Sequence, residues 1–95
     1  MKTPRRRARE LAVQALYQAG INNTAAPEIA KNIQDQPDFA KADEELFNKL
    51  FFGTHTHAAE YIQQIRPLLD RDEKDLSPIE RAVLLMACHE LSAMP

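Results

Sequence analysis

Ninety-five residues carry 12 Lys and Arg against 14 Asp and Glu, a formal net charge of −2, and 44% of them are apolar, which limits the chain to one domain near the lower size at which a single core holds itself together. Cys88 is the only cysteine, so an internal disulfide framework is excluded and a reducing, cytoplasmic compartment is the default. No apolar run approaches the roughly 18 to 20 residues that span a bilayer, and the basic N-terminus leads into an amphipathic segment rather than the apolar stretch of a signal peptide, so no membrane partner is expected.

The near-neutral total hides an asymmetry. Residues 1 to 10 hold Lys2, Arg5, Arg6, Arg7 and Arg9 against Glu10, a local balance of +4, while the remaining chain is acidic. A basic cluster at one end of an acidic chain suggests contact with a polyanion, with a solubilising terminus as the plain alternative. Two glycines, few β-branched runs and apolar residues recurring at i, i+3 and i+4 predict an all-α protein.

The first helix is expected from about Pro4 to Ala19, with Thr3 as N-cap, Pro4 at the first helical position and Gly20 as the stop. Its core stripe is Ala8, Leu11, Ala12, Ala15, Leu16 and Ala19. A second helix starts after Thr24, accepts Pro27 in its first turn, buries Ile29, Ala30 and Ile33, and ends before Pro37. Pro37 to Ala42 reads as a connection. Asp43 caps a third helix, favoured by Glu44 and Glu45 in its first turn. Its stripe, from Leu46 and Phe47 through Leu50, Phe51, Ala58, Tyr61, Ile62 and Ile65 to Leu69, continues for more than six turns, weakened in the middle by Gly53, Thr54 and Thr56. Leu68 to Leu76 is a charged connection, in which the acids Asp70, Asp72, Glu73 and Asp75 alternate with Arg71 and Lys74. Ser77, Pro78, Ile79 and Glu80 then spell a capping box that opens a fourth main helix, Pro78 to about Ala93.

That fourth helix is apolar around its circumference from Ala82 to Cys88. Three preceding helices cover about half of it, which predicts an incomplete domain or an obligate associate.

At about 100° per residue, Arg6, Glu10, Val13 and Tyr17 lie opposite the Ala8, Leu11, Ala15 stripe and are expected to be exposed. Cations for phosphates and a flat ring for a base are what a single nucleic-acid strand needs; the competing reading packs Tyr17 under the third helix. Four arginines also oppose the helix macrodipole, a penalty that a bound phosphate would reverse. His55 and His57 diverge on a helix, as do Cys88 and His89, so neither pair chelates an ion. A buried Cys88 and solvated or capping histidines are expected, with no metal or cofactor. No glycine-rich loop, nucleophile elbow or carboxylate pair marks an enzyme, and no catalytic residue is nominated. Glu80 belongs to the capping box and can still face a basic partner. Glu90 is either paired across a helix interface or turned to an open surface.

Arg5-Arg6-Arg7-Ala8-Arg9-Glu10 followed by Ala12-Val13-Gln14-Ala15-Leu16-Tyr17 resembles the first helix of the NusB family. Pro78-Ile79-Glu80-Arg81-Ala82-Val83-Leu84 through His89-Glu90-Leu91 resembles that family's central helix. The resemblance implies an all-helical fold of two packed subdomains, of which this chain is expected to be a single, truncated NusB-like domain over 1–95, with an N-terminal helical pair at 1–42 and a long helix plus the central apolar helix at 43–95. It implies a factor that binds single-stranded boxA RNA together with the ribosomal protein NusE and helps RNA polymerase read through terminators, notably in ribosomal RNA operons. By position it assigns RNA contact to Lys2, Arg5, Arg6, Arg7, Arg9, Gln14 and Tyr17, and contact with NusE to Glu80. Family members continue for several further helices, so the resemblance also implies an incomplete bundle, the N-terminal two-thirds of a longer protein; a homodimer through the uncovered face of the fourth helix is the other way to complete the core. An interaction module without RNA activity, as in the NusB-like domain of ribosomal RNA cytosine methyltransferases, is the alternative function. A helix-turn-helix DNA binder is disfavoured, because the fourth helix is too apolar to enter a groove.

Overall fold

The computed structural model describes residues 2–70 and 72–94; of Glu73 only the backbone is described. Among them all regular structure is helical: α1 (Pro4–Ile21), α2 (Ala26–Gln34), α3 (Glu44–Thr56), α4 (Ala58–Ile65) and α5 (Pro78–Ala93), with short 3-10 turns at Pro37–Lys41, Arg66–Leu68 and Glu73–Asp75. The expected all-α class holds, and the count of main helices is corrected from four to five. Helices α1, α3 and α5 pack against one another, α2 covers α1, and α4 lies on α5.

Local chemistry sets the starts of these helices. The Thr3 hydroxyl accepts from the Arg6 N–H at 3.1 Å, the Asp43 carboxylate accepts from the Leu46 N–H at 3.0 Å, and Ser77 and Glu80 complete the capping box of α5 with reciprocal bonds of 3.1 and 3.0 Å. The end of α1 departs from expectation. Gly20 has no positive φ and stays inside the helix, which stops two residues later at extended Asn22.

The predicted long third helix breaks at His57 (φ −105°, ψ 15°), the cap of both α3 and α4. Gly53 with β-branched Thr54 and Thr56 supplies the weak stretch before the break. The bend lets α3 direct Leu46, Phe47, Leu50 and Phe51 into the main core while α4 turns Tyr61 and Ile65 toward α5. Pro37 to Ala42 is more than a connection, since its 3-10 turn buries Phe39, whose ring meets Phe47 edge-on at 5.2 Å between centroids. Phe47 and Phe51 are wholly buried, each burial contributing about 1.5–3 kcal/mol.

Two expectations about polar groups are also corrected. His89 is buried rather than solvated, its Nδ1 2.8 Å from the Tyr61 hydroxyl, because it falls on the face of α5 that carries Ala82, Leu85 and Met86. Cys88, one position round the helix, is half-buried rather than buried, and burial still raises its thiol pKa. On the same helix Ile79 and Val83 are each 47% exposed and Leu91 is 89% exposed, so the apolar circumference is covered on one side. No helix of the described residues is long and apolar enough to cross a membrane.

Candidate nucleic-acid interface

Helix α1 is anchored on its Ala8, Leu11, Ala12, Ala15 and Leu16 side, and its other side faces solvent. The start of the helix is fixed twice, by the Thr3 cap and by a hydrogen bond from the Asp43 N–H to the Pro4 carbonyl at 3.0 Å, which ties it to the start of α3. Arg5, Arg6 and Arg9 come together with Thr3 and Glu10 around one groove. Arg7 and Gln14, seven residues apart, follow an adjacent line of the helix, Arg7 half-buried and Gln14 exposed.

Tyr17 is 38% exposed, on the same line as Arg6 and about 16 Å further along the axis. Val13, expected to be exposed beside it, is half-buried against the core, because it sits at the edge of the line nearest the buried face.

The cations are not bare. Lys2 Nζ lies 2.7 Å from Glu10 Oε2, and Arg6 Nε lies 3.6 Å from Glu10 Oε1. The hydrogen bond from Lys2 leads the causes that hold the Glu10 carboxyl below its ordinary pKa, so it remains ionised at neutral pH. Arg9 bonds Glu90 of α5, which settles the alternatives for Glu90 in favour of a pair across helices. Among the described residues Arg5 and Arg7 have no ion-pair partner. The Arg6–Glu10 pair is legible as i, i+4 spacing; Arg9 and Glu90 are 81 residues apart, and no local pattern connects them.

Glu80 stands away from the arginine block, near the end of α1 that carries Tyr17. Arg9 meets Glu90 near the start of α1, while the Arg81 guanidinium lies 3.7 Å from where a Gly20 Cβ would be, near its end, so the two helices run antiparallel. Glu80 lines a shallow groove with Ile79, Val83 and Leu84. The histidines assemble no metal centre, for no group of three His, Cys, Asp or Glu able to hold an ion occurs among the described residues. Arg71 and the Glu73 side chain, within the charged connection, lie outside the described residues.

Fold and site define an all-helical protein that presents an arginine-rich helix and an aromatic ring on one solvent-facing side. The sequence pattern of the NusB family matches residues 6–95, and the chain belongs to that family. It is 85% identical over 95 residues to the transcription antitermination protein NusB of Neisseria meningitidis strain Z2491, covering 100% of this chain and 67% of that protein. The protein of the same name from Neisseria gonorrhoeae strain FA 1090 is 83% identical over 95 residues, with the same shares of 100% and 67% covered. That from Laribacter hongkongensis is 49% identical over 92 residues, covering 97% of this chain and 56% of the relative. The family is one of transcription factors and not of enzymes.

Proposed function

We propose that this chain is a transcription antitermination factor that binds single-stranded boxA RNA, acts together with the ribosomal protein NusE, and promotes read-through by RNA polymerase in the cytoplasm, notably in ribosomal RNA operons. The observation that carries the reading is the exposed side of α1, where Arg5, Arg6 and Arg9 share one groove and Tyr17 presents part of its ring along the same helix. In this reading Lys2, Arg5, Arg6, Arg7 and Arg9 take phosphates, Tyr17 stacks on a base, and Gln14 offers an amide to a base edge or sugar. Glu80 faces NusE from the start of α5, beside the last turn of α1, so the arginine block lies at the far end of the α1–α5 pair while Tyr17 stands near the protein partner.

A titration of labelled boxA RNA with the chain, with and without NusE, at two salt concentrations and against a scrambled RNA, tests the proposal. Selective, salt-sensitive binding strengthened by NusE is the expected result. Binding of NusE without any RNA contribution would favour the interaction module, a reading supported by exposed Ile79 and Val83 beside Glu80. Sedimentation of the chain alone tests a homodimer through that same face of α5.

A further inference from the structure

Two carboxylates sit among the cations of α1, and they come from different helices. Glu10, on α1 itself, takes Lys2 and Arg6 together; Glu90, on α5 and with its side chain only 25% exposed, takes Arg9. Of the five cations, Lys2, Arg6 and Arg9 therefore act with an internal negative charge in contact with them, and Arg5 and Arg7 do not. We infer that Glu10 and Glu90 are internal counter-charges of this face, residues that withhold part of its positive charge from any polyanion it meets and leave a larger share of binding to contacts with the bases. The inference rests on the RNA reading above and assigns a role to residues outside the cation set.

The physical argument concerns ion exchange. A cation that binds a phosphate releases the counterion condensed on that phosphate, and this release drives non-specific binding. When the phosphate must first displace a carboxylate, the freed carboxylate recruits a cation from the salt, and the exchange releases nothing net. A strand with unsuitable bases then gains little from Arg9 or from the Lys2–Arg6 pair. A strand whose base stacks on Tyr17 gains that contact in addition. Because Glu90 belongs to α5, it also fixes where the Arg9 guanidinium stands relative to the groove.

The test compares wild type with Glu10→Gln, Glu90→Gln, the double variant, and Glu60→Gln as a control for net charge, since Glu60 lies on α4 beside His57. Binding of boxA RNA, a shuffled RNA of equal composition and inorganic polyphosphate is followed by anisotropy or competition across a salt series, with helicity checked by circular dichroism. The Glu10 pairs are exposed and contribute little to folding, and Gln at position 90 keeps the size of the partly buried side chain, so both variants remain folded. At about −0.7 in log affinity per log salt for each uncompensated cation on a single strand, wild type with Arg5 and Arg7 has a slope near −1.4, Glu90→Gln near −2.1, Glu10→Gln near −2.8 and the double near −3.5. A fourfold rise in salt then weakens Glu90→Gln about 2.6-fold and Glu10→Gln about 7-fold more than wild type. Glu60→Gln keeps the wild-type slope, and at low salt the Glu10 and Glu90 variants alone gain affinity, for boxA, shuffled RNA and polyphosphate alike.

Equal slopes in wild type and the Glu10 and Glu90 variants overturn the inference, as does an equal loss of affinity for both RNAs with no change of slope, the signature of a merely structural pair. If wild type does not distinguish boxA from shuffled RNA, the RNA reading fails, and the polyphosphate slopes still decide whether the two carboxylates withhold charge.

Discussion

Gly53 of α3 and His89 of α5 are in direct contact, and a Cβ built on Gly53 would stand 2.3 Å from His89 Nε2. A helix-interior glycine costs about 0.5–1 kcal/mol relative to alanine, and here it allows two helices to approach with an imidazole between them.

Gly53→Ala therefore reverses the usual gain from replacing a helical glycine. The clash forces the His89 ring or α5 to move, and the expected loss is about 1–3 kcal/mol, read as a lower melting temperature by circular dichroism. A second substitution, His89→Ala, separates the cause: with the ring removed, alanine at position 53 becomes neutral or stabilising. A melting temperature for Gly53→Ala at or above that of wild type would place the two helices further apart than described.

Thr54, next along α3, is wholly buried, and its hydroxyl finds no hydrogen-bond partner among the described residues. Thr54→Val keeps the β-branched shape and removes the stranded oxygen, for an expected gain of about 1 kcal/mol in urea unfolding. A loss of that size would show that the hydroxyl is satisfied in solution.

Tyr61 gives the fold its alkaline limit. Burial, then the charges of Glu60 and Cys88, raise its phenol above the ordinary 10.0. A proton held more tightly in the folded than in the unfolded chain contributes stability in full below the unfolded value, and that stability is lost as pH rises through the folded one. Melting temperatures are expected to fall above about pH 10, and Tyr61→Phe removes this component. At neutral pH the same variant loses the bond to His89, costing about 0.5–1.5 kcal/mol. An alkaline decline unchanged in Tyr61→Phe would assign it to other groups.

At Tyr17 binding has to be separated from folding. With 38% of its surface exposed and the rest packed, Tyr17→Ala also gives up part of the ring's burial, about 1–2 kcal/mol, so binding is measured well below the variant's lowered melting temperature. A stacked base is worth about 1–3 kcal/mol, so the affinity for boxA RNA falls roughly 5- to 150-fold. Unchanged affinity in the folded variant removes Tyr17 from the site.

Helix starts were legible because their chemistry is local: Thr3 with Pro4, Asp43 with its two glutamates, and Ser77 with Glu80 each satisfy orphan N–H groups from within four residues. The buried face of α2 followed from periodicity alone, as did that of α1 except at its edges, where Ala19, expected in the core, and Val13, expected outside it, are both half-buried. Phe39 was illegible, since one apolar residue in a polar stretch has no period, and its burial depends on where Pro37 aims the turn. The break at His57 was signalled by Gly53 and two threonines, but its position depends on the contacts Tyr61 makes with α5. The cations of the site were visible as composition. Their partners divided by distance along the chain, with Glu10 one turn from Arg6 and Glu90 reachable only once α1 and α5 had been packed together.

The hydrogen bond from Asp43 to the Pro4 carbonyl has a consequence for recognition. Terminal turns of a helix ordinarily fray, and a basic first turn, repelled by its own dipole, has additional reason to do so. Here the first turn is sewn to the neighbouring helix, so the backbone freedom of the arginine block, about 1–2 kcal/mol per residue, is surrendered during folding. An arriving strand meets a rigid template, and the affinity it gains from each contact is not diminished by having to organise the chain that makes it.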